Sequence, residues 1–440
     1  MKVVLIGGGS VNWTPPILTD LVIRPELEGS TALLLDIDPE ALELTLAYGQ
    51  RLLAESGRRW TVEASMERRA ALRDADYVIL TIGVGGLDAM EHDLAIPLNY
   101  GIYQSVGDTV GPGGLSRALR HIPVVYQIAR DIEEVCPQAW LINYTNPMTT
   151  LTRAVSKHTG VRVIGLCHEL TGVLRRLRRL IDLGEAHIET RVAGINHLIW
   201  LLEWKVDGRD GYELLRAYLS EHPVEVPYQG ELPGNPASVF QDRLLLKWRL
   251  FETFGLLPAA GDRHLAEFFP YFLTESTNRG ADYGVELTTV EYRRAIAAWR
   301  RDWVRRAVTG EETLPLLPSG EAAAEIICAL EGGSEHLQIV NLPNEGQVAN
   351  LPRDAVVETM GRISRDRAEG VESGELPPAV LAVVLPHVLR QEMTVEAAMT
   401  GNPALALQVL ATDPLVHDFA CAAPMLDELL RAHRAHLPQF

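Results

Sequence analysis

Apolar runs of strand length recur at residues 2–6, 32–35, 77–82, 140–143 and 161–166, with helical segments between them. That alternation predicts right-handed βαβ units and a parallel sheet, because parallel neighbours need a long crossover that is usually a helix. The segment 39–56 is the best delimited helix: the acidic, proline-containing turn Asp36-Ile37-Asp38-Pro39-Glu40 opens it and Gly57 closes it. Residues 174–183 carry the run Arg175-Arg176-Leu177-Arg178-Arg179-Leu180, which reads as a solvated helix surface. After Gly194 the pattern changes to longer helices, 239–254 and 289–307, separated by less regular strands. Residues 308–320 and 365–378 read as surface connections.

With 440 residues the chain is long for one core, so we expect two domains, 1–190 and 191–440. Forty basic against 58 acidic residues give a net charge of −18, which argues against nucleic acid and anionic membranes as partners. No apolar run reaches the roughly 18 residues a membrane span needs. The first ten residues, MKVVLIGGGS, end in glycines and read as a strand with no signal peptide, so the cytoplasm is the expected location. Cys136, Cys167, Cys328 and Cys421 are far apart and form no CxxC pair, so reduced thiols are expected.

Five stretches carry candidate chemistry. In the first, Val3 to Asn12, Gly7 and Gly9 let the chain turn sharply and bring the backbone, with Ser10, against a pyrophosphate at a helix N-terminus. Asn12 takes the third glycine position of GxGxxG, so the fingerprint is imperfect; the plainer reading is a tight turn with a capping acid. Asp36 at the end of the second strand could take ribose hydroxyls and would repel a 2′-phosphate, which favours NAD over NADP. The second stretch, Cys167-His168-Glu169, pairs with the distant Gly194-Ile195-Asn196-His197. A thiolate and an imidazole from two segments can hold a divalent cation, zinc or iron by ligand softness, or can be a buried thiol beside a hydrogen-bonded histidine. The third, residues 102–114 followed by Arg117 and Arg120, is a polar glycine-rich loop that leans towards binding rather than flexible connection. In the fourth, Asn143 to Pro147, Asn146 could donate to a ligand or cap the next helix. The fifth, Ala260 to Phe268, crowds Asp262, Arg263, His264 and Glu267 together, as a site or as a surface ion-pair cluster.

Taken in order, IGGGS, SVGDTVGPGG, NYTNPM, GLCHEL, GINHLIW, GDRHLAEFFP and NLPRDAVVE resemble the family 4 glycoside hydrolases through most of the chain. The resemblance implies an α/β fold: an N-terminal Rossmann-type parallel sheet followed by an α/β (α+β) domain like that of lactate and malate dehydrogenases. It implies NAD⁺ kept bound through turnover, a divalent metal, usually manganese in place of the zinc or iron expected above, and a homodimer or homotetramer. Residues matching the family's metal ligands are Cys167 and His197, with open positions for the sugar O2 and O3. The implied chemistry is hydride transfer from sugar C3 to the nicotinamide, removal of the acidified C2 proton, expulsion of the C1 substituent, addition of water and return of the hydride. Asp262 is the expected base, with His264 as the alternative. His168 would protonate the leaving oxygen or bind the sugar, with Glu169 second; Asn146 would touch sugar and cofactor, and Asp108 the substrate. The Cys-His-Glu sequence disfavours phosphosugars and looks most like the α-galacturonidase branch, where Arg263, Arg117 or His264 would meet the uronate carboxylate. An α-galactosidase or α-glucosidase of the same family is the alternative; from other classes, an NAD-dependent 2-hydroxyacid dehydrogenase or a non-catalytic NAD sensor.

Overall fold

A computed structural model describes residues 1–222 and 240–440. Strands β1 (Lys2–Ile6), β2 (Thr31–Leu35), β3 (Thr61–Ser65), β4 (Tyr77–Leu80), β5 (Trp140–Asn143) and β6 (Arg162–Gly165) are parallel and lie in the order β3-β2-β1-β4-β5-β6. This is the order of a dinucleotide-binding fold, in which ligands gather at the C-terminal strand ends. Its central strands are apolar without alternation because helices cover both faces: every residue of YVIL in β4 and WLIN in β5 is buried. Helix Pro39–Ser56 begins where expected. The Asp38 side chain accepts from the amides of Glu40 and Ala41, and Gly57 ends the helix at φ 64°.

The second half extends the same sheet with antiparallel strands. These are β7 (Ile188–Ile195), β8 (Leu198–Val206), β9 (Arg209–Asp210), β10 (Leu257–Pro258), β11 (His336–Pro343), β12 (Val356–Ser364) and β13 (Arg367–Gly370). From β6 the order runs β11-β12-β7-β8-β10, with Asn341 opposite Gly165 at the junction; β13 pairs with β12 and β9 with β8. One hydrophobic core crosses the halves, joining Val4, Leu80 and Leu141 to Trp200, Val357 and Val384. Among the described residues no helix is long and apolar enough to cross a membrane.

Some expected elements move. The arginine-rich helix spans Glu169–Leu180, so it starts immediately after Cys167 and His168; it buries Leu170, Val173 and Leu177 and leaves the arginines partly or fully exposed. The helix expected over 239–254 spans Leu245–Phe254, and residue 239 lies outside the described residues. The helix expected over 289–307 is Val290–Thr309, with Thr289 capping it through the amide of Tyr292. The connection 365–378 contains β13, a short strand whose RAEG sequence has no apolar alternation to announce it.

Candidate active site

At the end of β1 the backbone turns so tightly that side chains are excluded. Gly7 has φ 93°, and a Cβ there would lie 2.3 Å from the Thr81 carbonyl oxygen. A Cβ on Gly8 would meet the Leu34 backbone at 2.8 Å, and one on Gly9 the Asp36 carboxylate at 2.9 Å. Helix Thr14–Ile23 follows, but its first turn has no amide to spare for an anion: Pro15 and Pro16 carry no N–H, and the amides of Thr14 and Ile17 bond the carbonyls of Ser10 and Trp13. Ser10 and Asn12 lie in the turn, Asn12 exposed and Ser10 accepting from the Trp13 amide. Asp36 accepts from the amides of Gly9 (2.8 Å), Ile37 (2.8 Å) and Asp38 (3.1 Å), which fixes it beside the turn and leaves lone pairs for a further donor. The sequence-predicted cofactor residues Gly7, Gly9, Ser10, Asn12 and Asp36 therefore share one corner. Asn146 stands at the end of β5, two strands away, so about 10 Å along the sheet edge.

There Asn146 is tied to both neighbouring segments. Its Oδ1 accepts from the Met148 amide at the start of helix Met148–His158, and its Nδ2 donates to Asp108 at 3.4 Å. Arg117 Nε donates to its carbonyl at 2.9 Å. The loop 102–114 is largely buried: Gln104 bonds the Asp93 carbonyl and the Gly113 amide, and Val106 and Gly107 donate to Glu267. It is a braced platform that presents Asp108 and Thr109.

Opposite it, the β7–β8 hairpin turns through Asn196 and His197, and His197 adopts φ 65°, a left-handed backbone that costs a non-glycine residue about 1–2 kcal/mol. Its ring stacks on His264, with centroids 3.6 Å apart and planes at 25°. Its Nδ1 shares a 2.8 Å hydrogen bond with Thr109 Oγ1, which also donates to Asp108 at 2.7 Å. Asp108, His197 and His264 each bring a ligand atom within 4.8 Å of the other two. Burial, then the neighbouring His264, pulls His197 down to about 3; burial also lowers His264, so both imidazoles are neutral at neutral pH. Burial alone would raise Asp108, but His264, His197 and Arg117 outweigh it and hold the carboxyl well below its ordinary range. Two neutral imidazoles and a carboxylate are the protonation states a divalent cation requires.

The Cys-His-Glu segment borders this group. Glu169 accepts from the Gly261 amide at 2.6 Å and lies 3.9 Å from His264 Nε2. Burial opposes its ionisation, yet the surrounding histidines hold it at about 2. His168, half exposed, places Nδ1 3.3 Å from Glu321, which raises its pKa. Cys167 is half-buried and outside the 4.8 Å group; its thiol, pushed well up by burial and by Glu358 and Glu169, lies beside Asn196, the residue before His197. Asp262 is committed elsewhere. Its carboxylate accepts from the amides of Leu246 and Lys247 at the start of helix Leu245–Phe254 and pairs with buried Lys247 Nζ at 3.1 Å. Burial and Asp242 raise it to about 7. Arg263 donates to the carbonyls of Ser105 and Glu286 and to Thr288, with its guanidinium 3.8 Å from the Phe240 ring centroid.

Thr109 and Arg293, which the sequence did not single out, belong here, as do Asn196 and Glu267, which it placed in candidate stretches without a role. Glu267, 1% exposed, uses Oε1 for the loop amides while Oε2 has no partner. Arg293 lies within electrostatic reach of Asp108 and Glu267, and its buried Nε has no hydrogen-bond partner. Only the Arg-x-x-x-Glu spacing of 263 and 267, one helical turn, hinted that Glu267 shares a side with Arg263.

Residues 2–183 match family 4 glycosyl hydrolase, and residues 192–416 match the family 4 glycosyl hydrolase C-terminal domain. The chain belongs to the family 4 glycosyl hydrolases. Within this family it is 38% identical to an alpha-galacturonidase of Bacillus subtilis, over 98% of this chain and 97% of the relative. It is 36% identical to an alpha-galacturonidase of Lachnoclostridium phytofermentans, over 100% and 97%. Among solved structures, that of the lplD protein of Bacillus subtilis superposes with a TM-score of 0.89 at 37% identity, covering 98% of this chain and 99% of that one. A Thermotoga maritima 6-phospho-beta glucosidase with manganese, NAD⁺ and glucose-6-phosphate gives 0.81 at 25% identity, covering 99% of both chains. Malate dehydrogenase of Plasmodium falciparum shares the fold at a TM-score of 0.51 and 13% identity, over 93% of this chain and 99% of that one. The protein is thus a glycosidase with a Rossmann-type sheet and a dehydrogenase-like second part.

Proposed function

We propose that this glycosidase is an α-galacturonidase that works with resident NAD and a divalent cation, manganese, releasing galacturonate from oligogalacturonides. The observation that carries the reading is the convergence of Asp108, His197 and His264 within 4.8 Å, on the sheet edge that also holds the glycine turn. The residues present fit both groups: the turn would be filled by any Cβ, and the donor set is neutral nitrogen, carboxylate and a neighbouring thiol. The first 190 residues would hold the dinucleotide through Gly7, Gly9, Ser10, Asn12 and Asp36, and both halves would supply metal and sugar contacts. When bound, NAD would take the C3 hydride and return it, and the cation would polarise the sugar oxygens.

His197 and Cys167 hold the cation in this reading, with Thr109 fixing the His197 ring through Nδ1. Asp108 and Asn146 face the sugar. His264, neutral and half-buried, takes the C2 proton, the role expected of Asp262, whose carboxylate is occupied by Lys247 and the helix amides. His168, whose pKa Glu321 raises, gives a proton to the leaving oxygen, and Glu169 orients His264. Arg293 and Arg263 meet the uronate carboxylate, Arg293 through its unpartnered Nε. A second ligand set, Asp108, His197 and His264, is favoured by the 4.8 Å grouping that leaves Cys167 out.

The test is incubation of the protein with an aryl α-galacturonide, manganese, catalytic NAD⁺ and a thiol reductant in D₂O. Aglycone release, deuterium at C2 and no accumulating NADH are expected. NADH without aglycone would mean a dehydrogenase, and aglycone only from α-galactosides or α-glucosides would move the substrate. Manganese affinity separates the ligand sets: Cys167→Ser weakens it in the first, His264→Gln in the second.

A further inference from the structure

Away from the histidine cluster, helix Val290–Thr309 packs on helix Pro39–Ser56, and a cleft of about 360 Å³ opens between them and the first helix. Its size falls within the range of small-ligand sites, about 300–1,000 Å³. Rings dominate the wall: Trp299, Trp303 and Tyr48, with Pro15 and Leu317 at the margin, and Leu317 is 73% exposed. Tyr48 is fixed by a 3.2 Å hydrogen bond to Thr19, and its ring centroid lies 6.2 Å from that of Trp303. One cation joins these rings. Arg300 has its guanidinium 5.5 Å from the Trp299 centroid and, among the described residues, no carboxylate partner. By contrast Arg294 and Arg306 on the same helix are both paired, with Asp88 and Glu91 and with Asp302 and Glu312.

Indole rings offer flat apolar faces that suit the C–H faces of a pyranose, and an arginine beside them adds a fork for a carboxylate. On a chain of net charge −18, an arginine free of a carboxylate partner within an aromatic cleft suits an anion with a hydrophobic face. A uronate is such a ligand. The cleft also adjoins the reaction side: Ser319 lines it, and two residues further Glu321 touches His168. Two Cα steps span at most about 7.6 Å. We propose that this cleft is a second sugar subsite, which takes a uronate unit beyond the scissile bond, its ring on Trp299 and Trp303 and its carboxylate on Arg300. The assignment rests on the galacturonidase reading, and it makes longer galacturonides better substrates than an aryl galacturonide.

The experiment compares wild type, Arg300→Gln, Arg300→Lys and Trp299→Phe on an aryl α-galacturonide and on trigalacturonate. Arg300→Gln should raise KM for trigalacturonate about tenfold, the loss of one charged hydrogen bond, and leave kcat/KM for the aryl substrate unchanged. Arg300→Lys should restore part of the difference. Equal effects on both substrates, or none on either, would overturn the subsite. Quenching of tryptophan fluorescence by digalacturonate, without metal or NAD, tests the cleft independently. Quenching that Trp299→Phe and Arg300→Gln both diminish supports it even where no galacturonide is turned over, an outcome that would sink only the galacturonidase reading. Absence of quenching in wild type overturns it. A changed sedimentation coefficient in Arg300→Gln with an unchanged KM would make the cleft an interface between copies and would equally overturn it.

Discussion

The glycine corner at residues 7–9 and the histidine cluster around His197 lie on one sheet edge and are made of opposite materials. The corner is backbone, closed within about thirty residues from Gly7 to Asp36, and its requirement is room: a Cβ at Gly7 would be 2.3 Å from a carbonyl oxygen. The cluster is side chains drawn from residues 108, 169, 197 and 264, and its requirement is charge balance in a place only partly open to solvent. Each arrangement therefore fails in its own way. Filling space should break the first, and removing one charge or one nitrogen should break the second.

The largest effects should test that division directly. His197→Gln should lower turnover by more than about 10²-fold, since losing even a residue behind a metal ligand costs 10–100-fold, while NAD affinity by calorimetry stays within about twofold. Gly7→Ala should do the reverse. The left-handed backbone adds about 1–2 kcal/mol to the clash with Thr81, so NAD affinity should weaken at least about tenfold while manganese affinity holds. If both variants lost both ligands, the two regions would be one cooperative unit and the comparison would fail.

Next in size is the contrast between His264 and Asp262, two residues apart in sequence and different in surroundings. His264→Gln should lower kcat by about 10²–10³-fold with a small change in stability. Asp262→Asn should leave kcat within about threefold and lower unfolding free energy by about 3 kcal/mol, because it strips a buried partner from Lys247. The lower end of the usual range applies since Asp242 remains 3.8 Å from the same ammonium. A large kcat loss in Asp262→Asn with normal stability would return the base role to Asp262.

These contrasts explain what could be read from the chain. The strand order, the helix 39–56 with its Asp38 and Gly57 ends, and the glycine corner are local: apolar runs, capping residues and glycines act on neighbours a few positions away. His197 and Cys167 could be named, but Thr109 as the partner of His197 could not, because that bond spans 88 residues and needs the hairpin to fold against the loop. The sequence reading put Asp262 ahead of His264 as the base. What separates them is which side of a seven-residue helix meets the start of helix Leu245–Phe254, a tertiary fact. Arg293 lay in a helix full of arginines, and what sets it apart is its reach to Asp108 and Glu267 across the fold.

A smaller effect follows for Arg293. Arg293→Gln should raise KM for an aryl α-galacturonide about tenfold and leave KM for the matching α-galactoside nearly unchanged, because only the uronate brings a carboxylate to that guanidinium. Equal increases for both sugars would make Arg293 a structural support for the loop and leave Arg263 to carry the recognition.

The smallest effect concerns the brace between the two regions. Burial is the largest influence on Glu267 and lifts it from an ordinary 4.5 to about 8, against the opposing pull of the Val106 and Gly107 amides. An acid with a raised folded pKa holds a proton that the unfolded chain has released, so its contribution is complete below pH 4.5 and is lost as pH rises through 8. Glu267→Gln keeps the acceptor for both amides and places an NH₂ where Oε2 has no partner, and it cannot ionise. Melting temperature followed from pH 5 to pH 9 should therefore fall more steeply in wild type than in the variant. The difference arises between the unfolded and folded pKa values, about pH 4.5 to 8, where the folded wild type alone retains the proton. Parallel profiles would mean that Glu267 ionises as an ordinary carboxylate, and the loop that presents Asp108 would then be held by an anion whose charge must count in the balance around His197.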